Sequence, residues 1–550
     1  MNTFSYSSSG VNHPKTFFKI KEQVTADCNI GRVTPLYVDF AMPGDVWHLY
    51  QNIFIRTQPM LAPLLTALNA KVRAWFVPLR LMDENTELII TGSKNGKFDK
   101  DVVIPSFKKM FADASDYSVD KFSILDYMLS MPVGNYQYIK DEESQPAQYW
   151  LKAVARIWFD WYRDENLSEY DDFDDFWDTW KTSPGKITPF FANWKKDYFT
   201  SALPFQQKGI RPSFDFAAIN PLTGTSIFPL VKLAGETSGA VWVGNVNPDS
   251  APTVSFSNST GIPFSNQSHV DEWYEQQNSK LNDVSATASK DLLGADLSTV
   301  GNSFTTTDLR LMTQLQRVME RLARCGSRYT EYLQSNFGVS PADETLQRAQ
   351  YIGGYTQPII TQEVLQTGTG DTPTGTLRGK GISLSNNKMP SFLVKEFGVI
   401  IVTVEVMPKA NYTQGIRRKY TYKNRYDFPN PSFQNLSEQE IRNGELYIDF
   451  GEDQDHTNDK TFGFTEMYNE LRTGQDRLAG NMRSTLSYWT LARYFASRPV
   501  LSENFVQAQD DFTAPFAVTD QPPLIIEMGN VNGVYRNLQK FGTPGYADHN

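Results

Sequence analysis

Cysteine is almost missing from this chain of 550 residues: Cys28 and Cys325 are the only two, far apart and in no CxxC or zinc-like spacing. That excludes a disulfide-stapled secreted domain and makes a reducing compartment and buried free thiols the expectation. Histidine is scarce as well. His13, His48, His269, His456 and His549 lie apart, with no HExxH, so neither a zinc enzyme nor a histidine-based triad has local support. No GxSxG elbow is found. Gly92-Ser93-Lys94-Asn95-Gly96-Lys97-Phe98 has three residues between its glycines where a P-loop has four, and Phe98 where a hydroxyl should bind magnesium. Long apolar runs are missing too. The longest, Phe397 to Val406, is too short to span a bilayer and contains Glu405. The polar start Met1-Asn2-Thr3-Phe4-Ser5-Tyr6 predicts no signal peptide, and a protein soluble and cytosolic when made, with no membrane partner.

Charged residues make up 21%, and acids exceed bases by 62 to 52, for a net charge of −10. A nucleic-acid binder is usually basic over its whole domain, so any such contact here must be a local patch. Aromatics reach 13%, and 35 Gly and 30 Pro interrupt the chain. That composition excludes a coiled coil, a collagen and a wholly disordered chain, and fits a loop-rich β protein with wide contact surfaces. The length suggests about three or four domains as a soft prior.

Residues 1–30 read as a polar arm. Val33 to Phe40 reads as a strand whose Pro35 marks an edge or a bulge, and Met42-Pro43-Gly44-Asp45 as a turn. Val46 to Thr57 and Asn69 to Val77 continue the strand pattern, as if the three lay together in one antiparallel sheet over 31–90. Residues 91–209 change character. Gln148 to Phe159 has helical apolar spacing, and Asp171 to Trp177 reads as a solvated acidic face over buried aromatics. The latter lacks the Gly-centred spacing of a calcium loop; no cofactor is expected, and a structural divalent cation is not indicated. Residues 235–305, dominated by Ser, Thr, Asn and Gly, read as a surface excursion or a functional loop. In 306–345 a helix runs from Thr307 or Asp308 to about Ala323. Met312, Leu315, Met319 and Leu322 line one of its faces. Arg317, Arg321, Arg324 and Arg328 would line another if the helix persists, unless they form a solvated face with pairs such as Glu320–Arg324. In 346–550, Val399 to Val406 is the strongest strand, of the kind buried on both faces.

One segment stands out in an acidic chain. Residues 406–426 hold Lys409, Arg417, Arg418, Lys419, Lys423 and Arg425, no acid, and the interleaved Tyr412, Tyr420, Tyr422 and Tyr426. Cations neutralise phosphates and aromatic faces stack on unpaired bases. The competing readings are a loop that pairs with acids of a neighbouring subunit and a solvated loop.

Several segments resemble the major capsid protein of the Microviridae, small icosahedral single-stranded DNA bacteriophages, most closely its gokushovirus branch. They are Pro35-Leu36-Tyr37-Val38-Asp39 with Pro43-Gly44-Asp45, and Trp161-Tyr162-Arg163-Asp164-Glu165-Asn166-Leu167. Next come Asp197-Tyr198-Phe199-Thr200-Ser201-Ala202-Leu203-Pro204 with Gln207-Lys208-Gly209, and Leu309-Arg310-Leu311 through Arg328-Tyr329-Thr330-Glu331. Phe337-Gly338-Val339, Leu346-Gln347-Arg348, Tyr351-Ile352-Gly353-Gly354, Tyr412-Thr413-Gln414-Gly415, Phe462-Gly463-Phe464 and Pro544-Gly545 complete the set, in order along nearly the whole chain.

The resemblance implies a mainly β fold, an eight-stranded antiparallel jelly roll with long helical and loop insertions, and no enzymatic activity. It implies a T=1 shell of sixty copies in the virion, assembled in the host cytoplasm around a single-stranded DNA genome. The implied partners are a small basic DNA-binding protein, an internal scaffolding protein, a pilot protein and a host surface receptor, with 210–305 as the candidate protrusion. Lys409, Arg417, Arg418, Lys419, Lys423, Arg425, Tyr420 and Tyr422 become candidates for facing DNA. Arg317, Arg321, Arg324, Arg328, Tyr329, Pro43, Gly44, Asp45, Tyr198, Gly415 and Gly545 become candidates for interface or structural roles. A jelly-roll carbohydrate-binding module and a glycosidase, whose facing carboxylates no sequence spacing reveals, are the alternative classes.

Overall fold

A computed structural model describes residues 15–92, 104–106, 118–135, 146–181, 188–209, 306–326, 328–365, 367, 375–435, 438–451, 457–509 and 511–541. In chain order the strands are β1 (Thr16–Cys28), β2 (Val33–Ala41), β3 (Val46–His48), β4 (Tyr50–Thr57), β5 (Leu68–Pro78), β6 (Ser118–Val119), β7 (Gly134–Asn135), β8 (Gln350–Leu365), β9 (Leu377–Lys388), β10 (Phe392–Leu393), β11 (Gly398–Pro408), β12 (Gln439–Arg442), β13 (Thr461–Thr465) and β14 (Leu524–Arg536). Eight of them are long members of one large sheet, and all their pairings are antiparallel.

Their order defines the fold. One layer runs β1-β14-β4-β9, and the other β2-β11-β5-β8. Numbered along the chain as eight, the first layer holds strands one, eight, three and six, and the second holds two, seven, four and five. That is a jelly roll, two Greek keys folded face to face. The layers join where β8 passes from β5, at Leu68↔Ile359, to β9, at Ile360↔Ile382. Inward residues of both layers share one core: Ile53, Ile55, Ile526 and Met528 from the first, Ala70, Val72, Ile400 and Val402 from the second. This layer-crossing corrects the single sheet expected for 31–90. β2 and β5 flank β11, while β4 lies in the opposite layer. Pro35 does sit on an edge strand beside a bulge, since Val402 pairs with Tyr37 and Thr403 with Pro35, skipping Leu36.

Residues 16–28, expected as part of an arm, instead form β1, paired with β14 along its whole length. Lys19, Lys21, Gln23 and Thr25 point outward and dilute an alternation whose other side carries Phe18, Ile20, Val24 and Ala26.

The insertions explain the strongest strand. All eleven residues of β11 are buried. Its inward side meets the other layer. Its outward side is roofed by the helix Tyr149–Trp161, whose Trp161 and the following Tyr162 lie 5.2 and 6.3 Å from Trp75 of β5, ring to ring. Glu405 in this strand is buried and paired with Lys71 at 3.0 Å and Arg73 at 3.2 Å on β5. In the helix Phe173–Lys181, Phe173, Phe176 and Trp177 are buried while Asp174 and Asp175 face solvent, matching the acidic face expected there. A second, smaller core forms where 79–349 meets 409–523, from Tyr198, Phe199, Ala202, Ile441, Leu446, Phe462, Phe505 and Val506.

The chain divides into two compact units, one of residues 1–208 and 320–550, the other of residues 209–319. Of the second, Gly209 and residues 306–319 are described, the latter within the helix Thr306–Cys325. The segment expected as a protrusion thus lies outside the described residues. No described helix is long and apolar enough to cross a membrane.

Candidate nucleic-acid interface and contact residues

The basic segment follows β11 and is held by its polar side chains. Gln414 donates to the Phe495 carbonyl and accepts from the Phe495 amide, both at 2.8 Å. Gly415 must be glycine, because a Cβ there would lie 2.0 Å from the Glu445 carbonyl oxygen. Next comes a short 3-10 turn, Arg418–Tyr420. Asp427 then closes the loop by accepting from the amides of Asn424 at 2.7 Å and Lys423 at 2.9 Å. Those two bonds hold its carboxyl below the usual range.

The cations divide into two groups. Lys409 pairs with Asp476 at 2.6 Å, and Arg417 donates to the carbonyls of Gln475 and Asp476. Arg418 is turned inward, donating to the Glu440 carbonyl and lying 3.7 Å from Glu445 and 4.0 Å from Glu470. Its acids thus come from the same chain. Lys419, Lys423 and Arg425 are exposed and make no ion pair with any described residue. Tyr420 is exposed beside the Lys419 ammonium, which is 5.6 Å from its ring centre, whereas Tyr422 donates to Glu470 at 2.6 Å. Below this surface lies a partly open cavity of about 290 Å³, lined among others by Arg418, Tyr422, Tyr426, Phe433, Tyr468 and Glu470.

The carboxylates under the segment were not legible as partners. Glu445 accepts from the Tyr198 hydroxyl at 2.8 Å, joining the two insertions, and Gln439 donates to Glu470 at 2.5 Å. Burial raises the Glu445 carboxyl above its ordinary value, and burial together with that carboxylate raises the Tyr198 phenol. Asp197 makes a similar link, accepting from the Phe199 and Thr200 amides on one oxygen and from Tyr412 on the other at 2.8 Å. The run Asp197-Tyr198-Phe199-Thr200 is therefore a self-capped turn that welds one insertion to the other.

The remaining candidates are spread out. At the turn 42–45, Gly44 has φ +90°, and the Asp45 carboxylate is fully buried. It accepts twice from Arg536, at 2.9 and 2.8 Å, and from the Met42 amide. Pro43 occupies the second position of that turn. The arginine row is broken, because the helix ends at Cys325 and Gly326 takes φ +96°. Arg317 and Arg321 are exposed, and Arg324 pairs with the buried Glu438 rather than with Glu320. Arg328, half-buried, donates to Glu165 at 3.2 Å and to the Arg163 carbonyl at 2.7 Å, and precedes the helix Tyr329–Phe337. Tyr329 is exposed and stacks on Tyr332. Gly545 lies outside the described residues. Among those that are described, no group of three or more His, Cys, Asp or Glu could hold a metal ion.

A two-layer jelly roll with long insertions is a build that viral capsid subunits share with lectin domains. Comparison with known proteins selects the first. The family described as Capsid protein (F protein) matches residues 10–546, and the chain belongs to that family. It is 28% identical to capsid protein VP1 of Bdellovibrio phage phiMH2K and 27% identical to that of Chlamydia phage 1, over 93% of this chain and 92% of each relative. To capsid protein VP1 of Spiroplasma virus 4 it is 27% identical, over 97% of this chain and 96% of the relative. These are gokushoviruses, as the sequence motifs implied. The protein is a structural capsid protein of a phage, not an enzyme, and is part of the virion, where it assembles with its own copies.

Proposed function

We propose that sixty copies close into a T=1 icosahedral shell around a single-stranded DNA genome, with the segment 409–426 turned toward that DNA. The observation that carries this is the patch itself. In a chain of net charge −10, Lys419, Lys423 and Arg425 stand exposed among the exposed rings of Tyr420, Tyr426 and Phe428. Heterologous contacts close a shell when the rotations close, and many modest contacts reinforce one another. A net negative shell opposes packing of DNA, so a small basic protein supplies most of the neutralising charge. A scaffolding protein and a pilot protein complete the assembly in the host cytoplasm, and residues 210–305 meet the host receptor.

The test is the DNA content of purified particles. Reversing Lys419, Lys423 and Arg425 to Glu should leave shells visible by electron microscopy while their packaged DNA falls. Unchanged DNA content removes the segment from this role, and absence of shells from the unaltered chain removes the reading as a whole. Shortening 210–305 should give particles that assemble but adsorb poorly to host cells; normal adsorption moves receptor binding elsewhere.

A further inference from the structure

Along the outward face of the layer β1-β14-β4-β9, alternate residues are exposed. Strand register fixes which side chains share it, because cross-strand partners point to the same side. From β1 come Phe17, Lys19, Lys21, Gln23, Thr25 and Asp27. Their partners on β14 are Tyr535, Gly533, Val531, Gly529, Glu527 and Ile525. β4 adds Tyr50, Asn52, Phe54 and Arg56, and β9 adds Arg378, Lys380, Leu384 and Lys388. Lys19, Lys21, Arg56, Arg378, Lys380 and Lys388 are all exposed, and none makes an ion pair with a described residue. Glu527 and Asp27 are the acids of this set, and Glu527 accepts a hydrogen bond from Gln23 at 2.7 Å. Six cations less two acids give +4 on a face of a chain whose net charge is −10.

Four rings, Phe17, Tyr50, Phe54 and Tyr535, share the face with the aliphatic Ile382, Leu384, Ile525 and Val531. Phe17 and Tyr535 lie 5.0 Å apart and are both exposed. The Arg56 guanidinium is 4.5 Å from the Phe54 ring centre, and the Lys388 ammonium 5.4 Å from that of Tyr50. The Phe17 ring lies over Gly533, where a Cβ would come within 2.7 Å of it and push the ring aside. A sheet face carrying cations that no described acid pairs, between exposed rings, meets both needs of unpaired nucleic acid, charge for the phosphates and π-faces for the bases. A protein partner would have to bring acids at matching positions and leave the rings to another purpose.

We propose that this open sheet face is a docking surface for single-stranded nucleic acid, with its cations on the phosphates and its rings against the bases. This rests on the reading that the shell encloses single-stranded DNA, and adds to the 409–426 segment a second, broader contact that belongs to the jelly roll itself.

The experiment measures binding of oligo(dT) by the purified full-length chain across a salt series, together with the DNA content of particles. In the triple variant Lys19→Gln, Lys21→Gln, Lys380→Gln, the slope of log affinity against log salt should become shallower by about 2, at about 0.7 per lost phosphate contact. Phe17→Ala should weaken binding roughly fivefold or more at every salt concentration. Both variants should melt as the parent does, and particles of the triple variant should hold less DNA. Parental slope and DNA content in the triple variant overturn the proposal while leaving the genome-enclosing reading intact. Parental DNA binding with failed assembly also overturns it, by making the face an interface between copies. No DNA binding by the parent chain, with particles empty of single-stranded DNA, overturns the reading on which it rests.

Discussion

The two layers of the jelly roll differ more in their outer faces than in their inner ones. The second layer is roofed. β11 is buried at every position, and Trp75, on the outer side of β5, is 2% exposed beneath Trp161. The first layer is exposed at alternate positions of its outer face. β14 alternates between buried and exposed residues for most of its length, and Leu384 on β9 is 76% exposed. A sheet buried on both faces needs apolar residues at both parities, whereas a sheet with one face in water alternates. The helix Tyr149–Trp161 thus decides what the second layer's sequence can be, while the exposed positions of the first layer's outer face carry charge.

The comparison can be broken by substitution. The largest effect is expected under the roof. Trp75→Ala removes an indole that donates to Thr403 at 3.0 Å and touches Trp161 and Tyr351, and should cost about 3–5 kcal/mol in denaturant unfolding. A loss below about 1 kcal/mol would mean that the roof is not packed as described.

A smaller effect tests the weld between the insertions. Burial raises the Glu445 carboxyl above its ordinary 4.5, so the folded chain holds this proton more tightly than the unfolded one. Its contribution is therefore fully present below about pH 4.5 and is lost as pH rises through the folded value. Glu445→Gln keeps an acceptor for Tyr198 and should make the fall in melting temperature from acid to neutral pH shallower. An unaltered profile would show that Glu445 does not titrate in that window.

The smallest effect belongs to the outer face of the first layer. Leu384→Ala should change stability by no more than about 0.5 kcal/mol in the same unfolding measurement. A loss like that of Trp75→Ala would show that something covers this sheet.

Much of the jelly roll was legible locally. The apolar run in β11, the Pro35 edge and the buried stripe of Phe173, Phe176 and Trp177 follow from period and residue type, and each stands where that reasoning put it. β1 was not legible, because Lys19, Lys21, Glu22 and Gln23 look like a solvated arm until β14 pairs with it. The arginine row in 317–328 failed at Gly326, where a left-handed residue ends the helical register. In the basic segment, composition found the cations but not their fates. Arg418 and Tyr422 are held by Glu445 and Glu470, which lie within 60 residues downstream but touch them only through the tertiary fold.

The sequence by itself determined the strand and helix periods, the acidic balance with one basic stretch, and the family, since these depend on residue type and spacing along the chain. Only the tertiary structure decided which cations pair with described acids and that a charged, ring-bearing face spans four strands. Pairing brings together residues as far apart as Lys19 and Gly533, and burial then selects which side of each strand meets water.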